Sequence, residues 1–279
     1  MSTVAIIGAG PLGGALARTL AGRSRVREVR LIDPDGRVAA GKALDILQSG
    51  PIDAFNTRVT AAGSYAAAAG ADTIVLADSM TGEEIAGEAG LALLRQLARM
   101  ETSAPFLFAG GLQRELMIRG LEELHLAPTR LLGSAPLALE SAVRAVTAAL
   151  LDASPADLSI GVAGVPPGGA VIGWDSATAF NRPIADVLAP HHLSALTSRL
   201  PALWPPQPYT LASAAARVAE ALAGGSRRRY TCFAAIDVNG AGRRIIAAVP
   251  VAMVKGGVGK TLEPALSRHE RTAFENGLK

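Results

Sequence analysis

Val4-Ala5-Ile6-Ile7-Gly8-Ala9-Gly10-Pro11-Leu12-Gly13-Gly14-Ala15 decides how this chain folds. The apolar run over 4–7 predicts a buried parallel strand, with helices covering both faces of its sheet. The run ends on Gly8, Gly10 and Gly13, which have the G-x-G-x-x-G spacing. Pro11 falls near the first position of the next helix, where no N–H is needed. Ala15, Leu16 and Leu20 then supply that helix with an apolar face. A strand, a tight glycine turn and a helix start leave free N–H groups that suit a pyrophosphate. The candidate binding residues are Gly8, Gly10, Pro11, Leu12 and Gly13.

Working outward, residues 29–32 read as a second strand closed by Asp33, 20 residues after Gly13. An acid at that place accepts from the hydroxyls of an adenine ribose, which favours NAD over NADP. Helices are predicted over 41–48, 85–100 and 116–124. Strands are predicted over 59–61, 73–76, 105–108 and 130–133. This alternation implies a Rossmann-type, doubly wound parallel sheet, α/β in class. After Ser134 the texture changes. A helix over 139–151 precedes a strand over 158–165, then Pro166-Pro167-Gly168-Gly169 and short pieces at 171–175 and 183–184. Helices over 193–200 and 212–222 lead to strands at 229–238 and 243–249 around an Asn239-Gly240 turn, and a last helix spans 267–276. The expected organisation is a dinucleotide-binding domain over 1–134 and an α+β domain over 135–279.

Composition narrows the function classes. The 279 residues are 49% apolar, enough for a full core, and carry a net charge of only +3. No nucleic-acid partner is expected, and Arg227-Arg228-Arg229 reads as a solvated loop. Cys232 is the one cysteine, so no disulfide framework and no cysteine metal site are expected. No apolar run approaches the roughly 18 residues of a spanning helix, and the chain starts directly in a strand without a leader pattern, so no membrane partner and a cytoplasmic location are expected. Lys255-Gly256-Gly257-Val258-Gly259-Lys260-Thr261 imitates a phosphate loop, but Val254 stands where its first glycine belongs. Pro264 also blocks the helix that should follow, so a glycine turn between two strands explains it better.

Several stretches together resemble the lactate/malate dehydrogenase family: IIGAGPLG, LIDPDG, GKALDILQSGPI, AGAD before Thr73, RLLGSA-x-L-x-LESA, YTCFAAID, VPVAMVKGGVGK and RTAFENGLK. They occur in that family's order and span essentially the whole chain. The resemblance implies a Rossmann domain followed by an α+β domain, homo-oligomers, and hydride transfer between nicotinamide and C2 of a 2-hydroxy acid. Such chemistry needs a histidine base oriented by a carboxylate, an arginine fork for the substrate carboxylate, a polarising arginine and a lid that excludes water.

Those demands are not met here. The resemblance puts Pro166 at the position of the family's catalytic histidine, Val143 at its substrate arginine and Glu140 at its histidine-orienting aspartate. Proline has no side-chain proton to move. Arg144 lies next to Val143 but about 100° around the helix, where an i,i+4 pair with Glu140 suits it. The family's arginine-bearing lid becomes Asp78-Ser79-Met80-Thr81-Gly82-Glu83-Glu84, and its Thr-Asn-Pro turn becomes Ala109-Gly110-Gly111. His125, His191, His192 and His269 all read as surface residues. No catalytic residue is recognisable, and no metal is expected. Asp78 and Ser79 replace the family's Ala-Gly floor beside the cofactor; a carboxylate there repels a pyrophosphate if it points inward. The expectation is an NAD-binding protein of this family that keeps only the adenosine and pyrophosphate half of the site and has lost or altered the 2-hydroxy-acid reaction. The alternatives are an oxidoreductase on another small molecule, using groups near Arg114, Glu140 or Arg144, and a structural oligomer without ligand.

Overall fold

The computed structural model describes residues 2–100, 103–237 and 242–279. The expected Asn239-Gly240 turn lies outside the described residues. Six strands form the parallel part of the sheet: β1 (Thr3–Ile7), β2 (Glu28–Ile32), β3 (Arg58–Ala62), β4 (Thr73–Leu76), β5 (Phe106–Phe108) and β6 (Leu131–Gly133). Their order is β3-β2-β1-β4-β5-β6, and every neighbouring pair is parallel. This is the doubly wound arrangement in which the chain switches direction between β1 and β4, opening a crevice at their carboxyl ends.

The central strands form because their residues are apolar on both faces. Val4, Ala5, Ile6, Ile7, Ile74, Val75 and Leu76 are all buried to within 1%. Around the sheet lie α1 (Pro11–Arg23), α2 (Gly36–Asp53), α3 (Gly87–Ala98) and α4 (Arg114–Glu122). Asp35 caps α2 by accepting from the Arg37 N–H at 3.1 Å. Phe106 and Phe108 are among the largest fully buried side chains. Each contributes about 1.5–3 kcal/mol by leaving water.

Helix α5 (Ala135–Leu150) leaves the carboxyl end of β6 and is followed by β7 (Leu158–Ser159), β8 (Val162–Val165), β9 (Gly169–Ile172), β10 (Thr178–Ala179) and β11 (Arg182–Pro183). The strand expected over 158–165 is thus broken at Ile160-Gly161. β7 joins a small sheet of order β11-β10-β7, whereas β8 joins the main sheet. Then come α6 (Pro190–Arg199), α7 (Pro208–Gly224), β12 (Arg229–Asp237), β13 (Arg244–Val254), β14 (Gly257–Thr261) and α8 (Arg268–Gly277). The main sheet continues from β6 through β12, β13, β8 and β9, all by antiparallel pairs, with β14 on β13. The glycine turn at Lys255-Gly256 closes the β13–β14 hairpin, as expected, and no phosphate-loop helix follows it.

Helix α7 is buried almost all round. It packs along α1, where the Arg23 guanidinium donates to both Glu220 oxygens at 2.5 and 2.8 Å. Helix α8 starts in a capping box: Ser267 Oγ accepts from the Glu270 N–H while Glu270 accepts from the Ser267 N–H at 2.8 Å. Among the described residues, no helix is long and apolar enough to cross a membrane.

Candidate functional site: a glycine turn closed by its own carboxylate

The crevice at the β1/β4 switch point is built from Gly8 to Gly13 on one side and residues 77–84 on the other. The glycines are demanded by close packing. Gly8 has φ +101°, and a Cβ there would lie 2.1 Å from Asp78 O; a Cβ on Gly13 would lie 2.0 Å from Gly8 O. Pro11 opens α1 at its first position, as its lack of N–H allows. Gly10 precedes α1 without a side-chain cap of its own, so the first N–H groups of the helix need an outside acceptor.

Asp78 supplies it. Its carboxylate accepts from the Leu12 N–H at 2.9 Å and the Gly13 N–H at 2.8 Å, across 66 and 65 residues of sequence. The Asp78 carbonyl also accepts from the Gly10 N–H at 3.2 Å. Asp78 is 2% exposed, and burial raises its pKa against the opposing pull of those N–H groups and of Lys42. Lys42 reaches over from α2 and donates to Ala9 O and Gly10 O. A negative group at the positive end of a 13-residue helix is electrostatically matched. The sequence raised Asp78 with its direction open; the structure turns it inward.

Residues 78–84 form a tight loop. Ser79 N–H donates to Glu83 O at 2.7 Å, Gly82 N–H to Ser79 O at 2.9 Å, and Ile85 N–H to Ala77 O at 3.2 Å. Glu84 ties down its far end, accepting from the Gly111 and Leu112 N–H groups, both at 2.7 Å. Burial, and Asp78 nearby, raise the Glu84 pKa as well. Gln113, fully buried, holds the base of the loop: its amide donates to Ala77 O and Ile85 O, both at 3.1 Å, while its oxygen accepts from Gly110 N–H at 2.9 Å. Lys42, Glu84 and Gln113 were not singled out from the sequence. Glu84 stood in the sequence only as the end of the 78–84 stretch, and Lys42 only as part of GKALDILQ.

Asp33 ends β2 at the crevice and is 5% exposed. Its Oδ2 accepts from Ala9 N–H at 2.8 Å and its Oδ1 from Asp35 N–H at 2.9 Å. It therefore braces the glycine turn, with lone pairs left on both oxygens. The remaining sequence-derived positions are not brought together here. Val143 is 2% exposed and packs in an apolar cluster with Leu139 and Leu158. Pro166 sits in the turn of the β8–β9 hairpin. Glu140 accepts from Thr231 Oγ1 at 2.6 Å and pairs with Arg144 Nη2 at 3.2 Å, and burial raises its pKa. The i,i+4 pair expected of Arg144 is therefore present. Arg114 is half-buried and donates from Nε to Ile246 O at 2.8 Å. His125, His191 and His269 are exposed and His192 is half-exposed, at helix ends or starts. Among the described residues, no group of His, Cys, Asp and Glu is arranged to hold a metal ion.

Tested against NAD, the two halves of this crevice differ. The Asp33 corner is compatible with a ribose. The glycine turn is not compatible with a pyrophosphate while 78–84 is in place, because the Leu12 and Gly13 N–H groups are taken. A Cβ on Gly10 would already lie 2.4 Å from the Asp78 Cγ, so there is no space above the turn.

A 3-2-1-4-5-6 parallel sheet with a glycine turn at its switch point and an acid ending β2 defines a Rossmann protein of the dinucleotide-binding class. Residues 2–99 match the family model of the lactate/malate dehydrogenase NAD binding domain. The match is confined to these residues, and the whole chain has the lactate/malate dehydrogenase fold. It superposes on malate dehydrogenase from Salinibacter ruber with a TM-score of 0.87 at 22% identity, covering 99% of this chain and 93% of that one. It matches the minor L-lactate dehydrogenase of Enterococcus mundtii with a TM-score of 0.87 at 18% identity, covering 99% and 95%. The lactate dehydrogenase of Cryptosporidium parvum, solved with lactic acid and the dinucleotide, matches with a TM-score of 0.85 at 20% identity, covering 99% and 94%.

Proposed function

We propose that this chain is a lactate/malate dehydrogenase-fold protein that does not carry out hydride transfer on 2-hydroxy acids. The observation that carries this reading is the environment of Val143 and Pro166. The position of the substrate fork is a valine sealed in an apolar cluster, and the position of the base is a proline in a hairpin turn. Neither can hold a carboxylate or move a proton. Glu140, which would orient the base, has turned to Thr231 and Arg144 instead. Losing base and fork together removes the electrostatic and proton-transfer terms on which the reaction rests, each of which supplies orders of magnitude in rate.

The ligand class we assign is NAD, held by its adenosine end at Asp33, with the pyrophosphate on Gly8, Gly10, Pro11, Leu12 and Gly13 only when Asp78 has withdrawn. NAD itself supplies a hydride acceptor when bound; this chain's own residues contribute orientation of the ribose and no proton relay. The division into a nucleotide part over 1–134 and a second part over 135–279, a cytoplasmic location and a homo-oligomeric state belong to the same proposal. The test follows absorbance of NADH with malate, lactate, oxaloacetate and pyruvate over a range of protein concentrations. No turnover above background is expected. Sustained turnover with any of the four would overturn the assignment of Pro166 and Val143.

A further inference from the structure

The 78–84 loop does more than replace a lid. It puts a carboxylate on the two N–H groups that open α1, and a second carboxylate on the two that precede α4. Between them, Gln113 ties Ala77 and Ile85, the two ends of the loop, to one buried amide. The loop is also shape-matched to the turn it covers. The open position on Gly10 is filled by Ser79 O and the Asp78 carboxylate, and Gly82 lies against the Pro11 ring. Lys42 adds a positive charge beside the same carboxylate. These are the features of a bound anionic ligand: charge on a helix N-terminus, paired N–H donors, a neighbouring lysine and steric fit.

We propose that residues 78–84 are an intramolecular ligand of the nucleotide crevice, with Asp78 occupying the pyrophosphate position and Glu84 anchoring the loop, so that a dinucleotide binds only by displacing them. This rests on the reading of the glycine turn as a nucleotide site. It adds that the site is autoinhibited by the chain's own acid. An incoming diphosphate has no N–H donors until Asp78 leaves, and with Asp78 ionised it meets a like charge as well. Its affinity is therefore reduced by the free energy of opening the loop. Removing the Asp78 carboxylate removes the competitor and leaves the Gly8–Gly13 backbone unaltered.

The experiment uses the full chain labelled with nitrogen-15. Amide exchange at Leu12, Gly13 and Gly111 is read in wild type, Asp78→Ala and Glu84→Gln, and NAD and inorganic pyrophosphate are titrated by calorimetry into each. Asp78→Ala is expected to speed exchange at Leu12 and Gly13 at least about tenfold and to tighten NAD and pyrophosphate at least about tenfold over wild type. Glu84→Gln should speed exchange at Gly111 and tighten both ligands less. Unchanged exchange at Leu12 and Gly13 in Asp78→Ala overturns the plug whatever the ligands do, as does wild type binding NAD as tightly as Asp78→Ala. Faster exchange with no ligand bound by any variant overturns the nucleotide reading itself, and the competition with it. Should Asp78→Ala fail to fold, Asp78→Asn keeps the side-chain shape and removes the charge, and the same changes are expected in the same direction.

Discussion

Gly10→Ala probes the contact between the glycine turn and the 78–84 loop without removing any hydrogen-bonding group. Gly10 has φ −69° and ψ −168°, a conformation any L-residue adopts, so the backbone carries no penalty for the new methyl. The three atoms nearest the methyl all belong to the loop: it would lie 2.1 Å from Ser79 O, 2.4 Å from Asp78 Cγ and 2.5 Å from Asp78 Oδ1. Ordinary contact begins near 3.4 Å, so residues 78 and 79 must retreat by about 1 Å. That is enough to carry the Asp78 bonds to Leu12 and Gly13, now 2.9 and 2.8 Å, beyond bonding distance. Hydrogen bonds to a charged group contribute about 1.5–3 kcal/mol each, and relief of the buried carboxylate's desolvation offsets part of the loss. A net cost of about 2–4 kcal/mol follows, close to the usual range for overpacking. At about 2 °C of melting temperature per kcal/mol for a chain of this size, the variant should melt roughly 4–8 °C lower. Its 78–84 segment should also be cut faster by a nonspecific protease. Gly41→Ala is the control, since it lies within α2 with nothing within 4 Å of its Cβ position, and should be neutral or slightly stabilising. Gly10→Ala melting together with Gly41→Ala, and with 78–84 equally protected, would refute the packing of the loop on the turn.

Two further outcomes follow from burial. The Asp78, Glu84 and Glu140 carboxyls are all raised by desolvation, so the folded chain holds their protons more tightly than the unfolded chain does. Their stabilising contribution is then complete below the ordinary carboxylate range near pH 4 and is lost as pH rises through the raised values. Urea melts from about pH 4 to about pH 7 should show wild type losing stability relative to Asp78→Asn/Glu84→Gln/Glu140→Gln, and a constant difference across that range would exclude the effect. Cys232 is fully buried, and burial, with Glu140 nearby, pushes its thiol well above the usual range. The native protein should resist iodoacetamide at about pH 8 and react at once in denaturant, so rapid native labelling would contradict its position in β12.

The parallel sheet was legible because its strands are short apolar runs between glycine, proline and acidic residues, and because strand and helix periods differ. The break in the strand over 158–165 was less legible. Ser159-Ile160-Gly161 continues the apolar alternation, yet the glycine lets the chain leave one sheet for another. The junction of the two halves of the main sheet, Phe233 against Gly133, joins residues a hundred positions apart, and no local pattern announces it. Helix α7 begins at Pro208, four residues before the expected 212, because proline starts a helix without cost. In the crevice, Asp33 could be read from its spacing to Gly13. The direction of Asp78 could not, since it depends on how a seven-residue loop packs. Gln113 gave no sign at all, because a buried glutamine that holds two loop ends has the same sequence signature as an exposed one.

A glycine-rich turn before a helix creates a physical requirement before it creates a function. The N–H groups of Leu12 and Gly13 have no partner inside α1, and the helix dipole adds positive potential at the same point, so something that accepts must sit there. A nucleotide phosphate, water or a side chain can meet that requirement, and here Asp78 meets it. Gly8 and Gly13 are likewise explained without a nucleotide. A side chain on either would strike backbone oxygen of Asp78 or of Gly8 at close to 2 Å. Even Asp33 has a structural use in bracing Ala9 and Asp35. The G-x-G-x-x-G spacing in this chain is therefore required by the turn's own packing. On the competition proposed above, its capacity for a dinucleotide is set by the second residue after β4, because a small side chain there leaves the donors free and the aspartate at 78 takes them. In the proposed reading Asp78, rather than the glycines, decides whether this turn is an open phosphate site or a closed one.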